Sequence, residues 1–304
     1  MKIVFFNSYH NGDIHVSREI VNKIVQRVHQ QDPGTSFVYS HRNCYNLLAD
    51  IDNLSFDPHV LNRKGSDHDN LLHFGDMVLI NTWYAQQNYK YMNRYGMTMD
   101  CLYLALDDSC KSLWGFSLSD ISTDMSTFFP SIDYTKFEIA SSKVWLSNHP
   151  EKKIFVANGH ALSGQAVNFD MTALIIRLAQ KHSNKTFILT NQECNTSLPN
   201  NVVYSSNIIG KQGASDLNEN SFISSHCDVI IGRSSGASTF AMTQENLFRR
   251  PIKILYFTNI VPVAPNKFWA DDFFSNKISY SADIICTNEH NPINVYNIID
   301  TNIA

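Results

Sequence analysis

Asp228–Leu247, DVIIGRSSGASTFAMTQENL, is the stretch that decides how the chain is read. A short apolar run, Asp228–Ile231, breaks at Gly232 and passes through Arg233-Ser234-Ser235-Gly236. It then enters a helical segment with Phe240, Met242 and Leu247 on its apolar side. The expected unit is a strand, a turn and a helix. Unpaired amides at a helix start, the positive end of the helix dipole and small residues that admit a ligand together suit a phosphate. Arg233 adds a permanent cation with a fork of donors, which suits a diphosphate better than a bare turn does. The same grammar also serves as plain scaffold in any α/β protein, and both readings stand at this point.

Working outward, the downstream half repeats the pattern. Strand Ile154–Ala157 is followed by loop Asn158–Gln165, a helix near Phe169–His182, and strands Thr186–Thr190 and Val202–Tyr204. A helix near Asp216–Ser225 leads to the opening stretch, and Ile252–Phe257 supplies a further strand. Upstream, Lys2–Phe6 reads as a first strand, Asn7–Asp13 as a polar turn, and Ile14, Ile20, Val21, Ile24, Val25 and Val28 as one face of a helix stopped by Asp32-Pro33-Gly34. Phe37–Ser40 and Asp76–Asn81 are further strands, the second apolar on successive residues as a strand buried on both faces requires. Residues Trp83–Phe137 mix aromatic and polar side chains; helices and loops are expected there, with Leu102–Leu106 a candidate strand.

Repeated alternation of strand and helix favours parallel sheets covered on both faces. At 304 residues the chain exceeds the usual single domain of about 150. The expected architecture is α/β, two Rossmann-like domains facing across a cleft, residues 1–145 and 146–304, with the hinge at Ser141–Pro150. The last helix, around Asn291–Asp300, is a candidate to cross back onto the first domain.

A hydrophobic fraction of 43% and a charged fraction of 17% describe a folded globular protein. A net charge of −4 with no basic run longer than Arg249-Arg250 argues against nucleic acid as a partner. The six cysteines have no CxxC spacing and read as buried free thiols. Polar Asn7 and Ser8 end the first apolar run too early for a secretory leader, and no stretch approaches the roughly 20 apolar residues of a transmembrane helix. A cytoplasmic protein without a transmembrane segment is expected; peripheral contact with a membrane stays open.

Three further turns carry candidate chemistry. Asn158-Gly159-His160 leaves a parallel strand at its carboxyl end, where open α/β sheets bind ligands, and His160 reads either as a plain loop histidine or as a phosphate or sugar contact. Gly210-Lys211 precedes the helix that leads to the opening stretch, where Lys211 reads as a solvated charge or as an ammonium near the same crevice. In the first half, Asn11, Gly12 and Asp13 close the turn before a helix starting at Ile14 or His15. There Asp13 is either a helix cap or a carboxylate that takes a proton from a hydroxyl nucleophile. His10 and His15 are weaker candidates for that base. Asp107-Asp108, Asp67-His68-Asp69 and Asp271-Asp272 read as solvated loop pairs, and no metal site is expected. The chain lacks GxGxxG, GxxxxGK[ST] and GxSxG, which weighs against dinucleotide oxidoreductases, ordinary nucleotide hydrolases and serine hydrolases.

These residues carry a resemblance. The chain resembles the GT-B glycosyltransferases, and within them the heptosyltransferase-like group, family nine. That group opens with a strand, a glycine-aspartate turn and a helix, matched by Lys2–Phe6 and Gly12-Asp13. Its second half has a strand with a glycine loop, a Gly-Lys segment before a helix, and an Asp-Ser/Thr-Gly-Pro-x-His turn; Ile154–Gly159, Gly210-Lys211 and Ser234-Ser235-Gly236 follow that order. Ser234 stands where the group has aspartate, Ala237 where it has proline and Thr239 where it has histidine, so the donor sugar is left open. The resemblance implies a metal-independent, inverting transfer of a sugar from a nucleotide-sugar, itself a substrate, with no cofactor. The acceptor would be a hydroxyl on a glycan or glycolipid, and Asp13 the base. By the same resemblance Ser234, Ser235 and Gly236 would hold the donor diphosphate, with Gly159 and Lys211 lining its pocket; the residues themselves add Asn158, His160 and Arg233 as expected donor contacts, Glu245 on its ribose or sugar hydroxyls, and Asn11, Gly12 and His15 on the acceptor side. A sugar-nucleotide epimerase or hydrolase of the same fold and a non-catalytic nucleotide-sugar-binding module are the alternatives.

Overall fold

The computed structural model describes residues 1–8, 10–42, 45–58, 71–83, 99–161, 164–192, 197–210, 216–259 and 277–304. They form two compact units, one built of Met1–Ser131 with residues 277–279 and the other starting at Ile132 and closed by Tyr280–Ala304.

The first unit is a five-stranded sheet in the order β3-β2-β1-β5-β4. Its strands are β1 (Lys2–Phe6), β2 (Ser36–Ser40), β3 (Leu54–Phe56), β4 (Leu71–Phe74) and β5 (Met77–Asn81). All pairings are parallel except β4 with β5. Helix α1 (Asn11–Gln31) lays Ile14, Ile20, Val21, Ile24, Val25 and Val28 into the core at helical spacing, each at most 1% exposed. At about 1.5–3 kcal/mol per buried aliphatic side chain, this face supplies roughly 10 kcal/mol or more of gross burial, before chain entropy is charged against it. It packs against α2 (Met99–Trp114). The Leu102–Leu106 segment, read as a strand, lies inside α2: Cys101, Leu102, Ala105 and Leu106 are buried at i, i+1, i+4, i+5, a helical stripe that a short window mistakes for alternation.

The second unit is a six-stranded, all-parallel sheet in the order β11-β10-β9-β6-β7-β8. Its strands are β6 (Lys152–Ala157), β7 (Lys185–Leu189), β8 (Val202–Tyr204), β9 (Val229–Arg233), β10 (Lys253–Phe257) and β11 (Asp283–Thr287). The helices are α3 (Ala140–Asn148), α4 (Met171–Lys181), α5 (Ser205–Ile209), α6 (Leu217–Ser224), α7 (Gly236–Phe240) and α8 (Pro292–Ile303).

Two expectations change here. Ser141–Pro150, read as a hinge, is mostly α3, which packs on α5 and α6 inside the second unit; Leu146 joins Ile139 and Phe222 in a small apolar cluster. The closing helix α8 does not leave this unit: Val295, Ile299 and Ile303, each 0% exposed, complete the core with Leu174, Leu178 and Val229. Asp300 fastens it to the end of α4, accepting from Lys181 at 2.6 Å and pairing with His182 Nε2 at 2.7 Å. No helix among the described residues is long and apolar enough to cross a membrane.

Candidate functional site

Strand order places the candidate turns. In the second sheet the chain runs outward from β6 through β7 to β8, then returns to lay β9 on the other side of β6 and continues to β10 and β11. The reversal leaves a crevice beyond the carboxyl ends of β6 and β9, the place where open α/β sheets receive ligands. Asn158-Gly159 leaves β6 there, and Ser234-Ser235-Gly236 leaves β9. The first sheet obeys the same rule: β1 runs to β2 and β3, and β5 returns to its other side. The segment that joins β1 to the start of α1 at Asn11 leaves at that reversal.

Arg233 is the centre of the second-unit site, in a role different from the expected one. Its guanidinium is 0% exposed. Nη1 donates to Phe169 O at 2.5 Å, and Nη2 donates to Asn158 O and, at 3.0 Å, to Gly159 O. Nε reaches Gly159 O at 3.3 Å, and the guanidinium lies 5.1 Å from the Phe169 ring centroid. The fork meant for a diphosphate therefore spends these donors on backbone, binding the start and finish of the loop after β6 to the end of β9.

Asn158 is likewise 0% exposed and committed within the protein. Its Nδ2 donates to Asn191 O at 2.7 Å and Thr172 Oγ1 at 3.0 Å, while Asn191 N donates to its Oδ1 at 2.8 Å. A Cβ at Gly159 would sit 2.8 Å from Asn191 Oδ1, so a side chain there would have to displace the Asn191 side chain. His160, next along, is exposed. Ends of β7, β6 and β9 are thus laced into one rigid edge.

Beyond that edge, Ser234 is 9% exposed, and Ser235 and Gly236 are half-buried. Ser234 Oγ accepts from Tyr256 OH at 3.1 Å and donates to Gln165 Oε1 at 3.4 Å. Ser238 Oγ donates to Arg233 O and accepts from Ser235 N at 3.2 Å, fixing the turn from beneath. The turn is tight because Gly232 permits it: a Cβ there would stand 2.6 Å from Ser238 Cβ and 3.2 Å from Ala157 Cβ. The helix it feeds is short, however. α7 has five residues, so few aligned peptides sum to a dipole, and the expected long-range pull on an anion shrinks accordingly. Just past its end Asn246 Nδ2 donates to Ala241 O at 2.8 Å and to Ser224 Oγ at 3.0 Å, and a π-helical turn, Glu245–Arg249, follows. Glu245 sits on that separate turn, pairing with Arg249 at 3.6 Å, and so does not continue the helix of the Ser234–Gly236 turn. Met242 and Leu247 are buried with Phe240 as expected, each 0% exposed. Lys211 lies outside the described residues, as do Asp67-His68-Asp69 and Asp271-Asp272.

In the first unit α1 begins at Asn11, three residues before the expected Ile14, with His10 as the flanking residue. Asp13 is then the third helical residue, and its Oδ2 accepts from His10 N at 3.1 Å. It reaches back to cap the helix start as the carboxylate of a capping box does. The carboxylate is only half-buried, whereas Gly12 is buried and His15 is 0% exposed, which removes His15 from the acceptor surface. One turn on from Asp13, Ser17 Oγ meets Tyr39 OH at 2.8 Å, and Tyr39 OH meets Thr82 Oγ1 at 2.6 Å, a chain of hydroxyls that ties α1 to the carboxyl ends of β2 and β5. Burial pushes the Tyr39 phenol far up, with a smaller contribution from the Asp13 charge. Beside it His41, 2% exposed, is pushed down to about 4 by burial and is a neutral imidazole at neutral pH. No spacing rule points to Ser17, Tyr39 and Thr82 in the first unit or to Gln165 in the second; within each unit the strand ends bring them to their partners.

Other candidates resolve structurally. Asp107 is not in a solvated loop: on α2, it is 5% exposed and accepts from Lys111 Nζ at 2.6 Å, Ser117 Oγ at 2.7 Å and Leu118 N at 2.6 Å. Cys101, Cys110 and Cys227 are buried free thiols, and burial pushes Cys227 up to about 12. Among the described residues no three His, Cys, Asp or Glu side chains gather as a metal cage.

Neither a protein-family model nor a curated protein sequence matches the chain. Solved structures do match. The chain is similar to the Escherichia coli heptosyltransferase WaaC with ADP, at a TM-score of 0.50 and 12% identity over 100% of this chain and 98% of that one. A glycosyl transferase of family 9 from Veillonella parvula matches at a TM-score of 0.49 and 13% identity, covering 99% of this chain and 88% of the other. The E. coli ADP-heptose LPS heptosyltransferase II matches at 0.48 and 13% identity, over 99% and 98%. Two Rossmann-like sheets with these strand orders have the α/β fold of the GT-B glycosyltransferases, in its heptosyltransferase-like form.

Proposed function

We propose that this protein is a glycosyltransferase that moves a sugar from a nucleotide-sugar to a hydroxyl acceptor on a glycan or glycolipid. One observation carries the reading: in both sheets the turn singled out by sequence leaves its strand at the reversal of strand order, the ligand-binding position of an open α/β sheet. The likeness of fold to WaaC agrees with it.

The second unit takes the donor. Ser234, Ser235 and Gly236 receive the diphosphate, Gly159 lets it approach the backbone, and Lys211 and the exposed His160 are further contacts. Arg233 and Asn158 act one step removed, by holding the loop in place. The first unit takes the acceptor, with Asp13 as base. Its half-buried carboxylate accepts the hydroxyl proton while the oxygen attacks the anomeric carbon. The C–O bond to the diphosphate breaks as the new glycosidic bond forms, and the configuration inverts. The diphosphate departs with the bonding electrons, stabilised by donors fixed before it arrives. Neither step calls on a metal or cofactor in this scheme.

The hydrogen bond from His10 N to Asp13 favours a second reading, a nucleotide-sugar-binding module in which Asp13 only caps α1. Asp13→Asn separates the two. Asparagine keeps an oxygen for His10 N but takes up no proton, so transfer should fall by roughly 10²–10⁴-fold while the melting temperature holds. The assay incubates a panel of UDP-, GDP-, ADP- and CMP-sugars with glycan acceptors and analyses products. Transfer by Asp13→Asn at the wild-type rate removes the base, and binding without any product favours the module.

A further inference from the structure

The loop after β6 is fastened at three levels. Arg233 grips both its ends, at Gly159 O and Phe169 O. Asn168 closes its neck, accepting from Ala161 N at 2.8 Å and donating to Ala161 O at 2.9 Å. Beyond the neck, the Gln165 carbonyl accepts from Asn259 N at 2.7 Å and Thr258 Oγ1 at 3.2 Å, which ties the loop to the end of β10. The backbone of Gln165 is therefore fixed beside the turn that leaves β9, and its side chain reaches Ser234.

Tyr256 OH donates to Ser234 Oγ, so the serine's own proton points to Gln165 Oε1. At 3.4 Å this bond is long for a hydroxyl donor, whose usual reach is about 2.7–2.8 Å. A phosphate oxygen in the same place is charged and makes a shorter and stronger bond. Gln165 is half-buried, and among the described residues its Nε2 has no partner, leaving two N–H donors beside the serine. A neutral carboxamide here occupies the donor proton of Ser234 weakly and offers donors of its own.

We infer that Gln165 is a contact of the donor diphosphate, which releases the Ser234 hydroxyl to a phosphate oxygen and donates its own amide to the same group. This rests on the proposed reading of the Ser234–Gly236 turn as the nucleotide-sugar site. It assigns the phosphate contact to a glutamine on the β6 loop and leaves Arg233 as the residue that positions that loop.

Gln165→Glu tests it. Glutamate keeps an oxygen to accept from Ser234, and the backbone bonds of residue 165 are unchanged, but it replaces the amide donor with a negative charge facing the diphosphate. Binding of UDP, ADP, GDP and CDP, and of the four parent nucleosides, is measured by calorimetry on the full chain. The diphosphate that binds wild type should bind Gln165→Glu weaker by roughly tenfold or more, with nucleoside affinity unchanged. Gln165→Ala, which loses the donor without adding charge, should fall between the two. Equal diphosphate affinity in wild type and Gln165→Glu overturns the inference and leaves the glycosyltransferase reading standing. A loss shared equally by diphosphate and nucleoside also overturns it, because the loop rather than the phosphate contact would then have changed. If wild type binds none of the four diphosphates, both the inference and the reading beneath it fall.

Discussion

The guanidinium of Arg233, at the end of β9, holds the carbonyl oxygen of Gly159, at the end of β6, through Nη2 at 3.0 Å and Nε at 3.3 Å. Those strands are neighbours in space but 74 residues apart in sequence, and the bond spans the reversal of strand order. A buried cation used in this way fixes the backbone at the ends of two neighbouring strands.

Arg233→Lys should therefore fail to rescue what Arg233→Ala loses. A lysine keeps the charge but not the planar fork that serves Asn158, Gly159 and Phe169 together. Both variants should lose about 3 kcal/mol of stability in denaturant unfolding, since the buried Asn158 carbonyl and the half-buried Gly159 and Phe169 carbonyls lose their donor. A lysine variant that unfolds like wild type would show that charge, not geometry, is what the position requires.

Gly232→Ala should be costly although it adds one methyl group. The new Cβ meets Ser238 Cβ at 2.6 Å, with Ala157 Cβ at 3.2 Å on its other side, and neither can rotate away. Overpacking of this kind costs about 1–3 kcal/mol and should displace the turn at Ser234. Chemical denaturation reports the first effect and weakened nucleotide binding the second.

Asp50→Asn should destabilise the first unit more than a surface charge change does. Asp50 Oδ1 meets Arg18 Nη1 at 2.6 Å with both side chains buried, at 4% and 1% exposure, and Arg18 also donates to Leu47 O. Removing one charge of a buried pair leaves the other desolvated, a loss of about 3 kcal/mol or more. Thermal unfolding at neutral pH checks it; a shift no larger than that of Lys152→Gln, on an exposed lysine, would count against the pair.

Glu19 should make stability fall as pH rises. Burial pushes its carboxyl from 4.5 up to about 7, against the opposing influence of Lys23, 3.6 Å away, and of Asn22 and Arg18. Between those values the folded chain holds a proton that the unfolded chain has released. Its contribution is full below pH 4.5 and is lost as pH climbs through 7, by about 3 kcal/mol in all. The stability of Glu19→Gln minus that of wild type should thus grow over this window. His41, pushed down to about 4, has the opposite slope up to its ordinary 6.5, so wild type alone would show the two partly cancelling.

The parts of this fold that were legible in sequence are those made by local pattern. β1, α1, β6, α4, β9 and β10 fall where apolar periodicity, Asp32-Pro33-Gly34 and the glycine turns put them, within a few residues at each end. Elements of weak pattern went unread. β3 has three residues, β4 is a half-exposed edge, and β11 shows only Ile284 as a fully buried position. α3 is mostly polar, and the neighbours that make it a helix are α5 and α6, far along the chain.

The sequence by itself determined that two strand–helix series exist, that a glycine loop follows the first strand of the second, and that Arg233, Ser234, Ser235 and Gly236 follow an apolar run. Periodicity, turn chemistry and chain length are properties of near neighbours, and they suffice for that much. Only the tertiary structure decided what those residues do. Strand order brought β9 beside β6, burial turned Arg233 inward onto carbonyls, and the loop after β6 brought Gln165 to Ser234 across 69 residues. Which donor is spent on backbone and which is left for a ligand depends on what lies opposite it, and that is set by packing between segments distant in sequence.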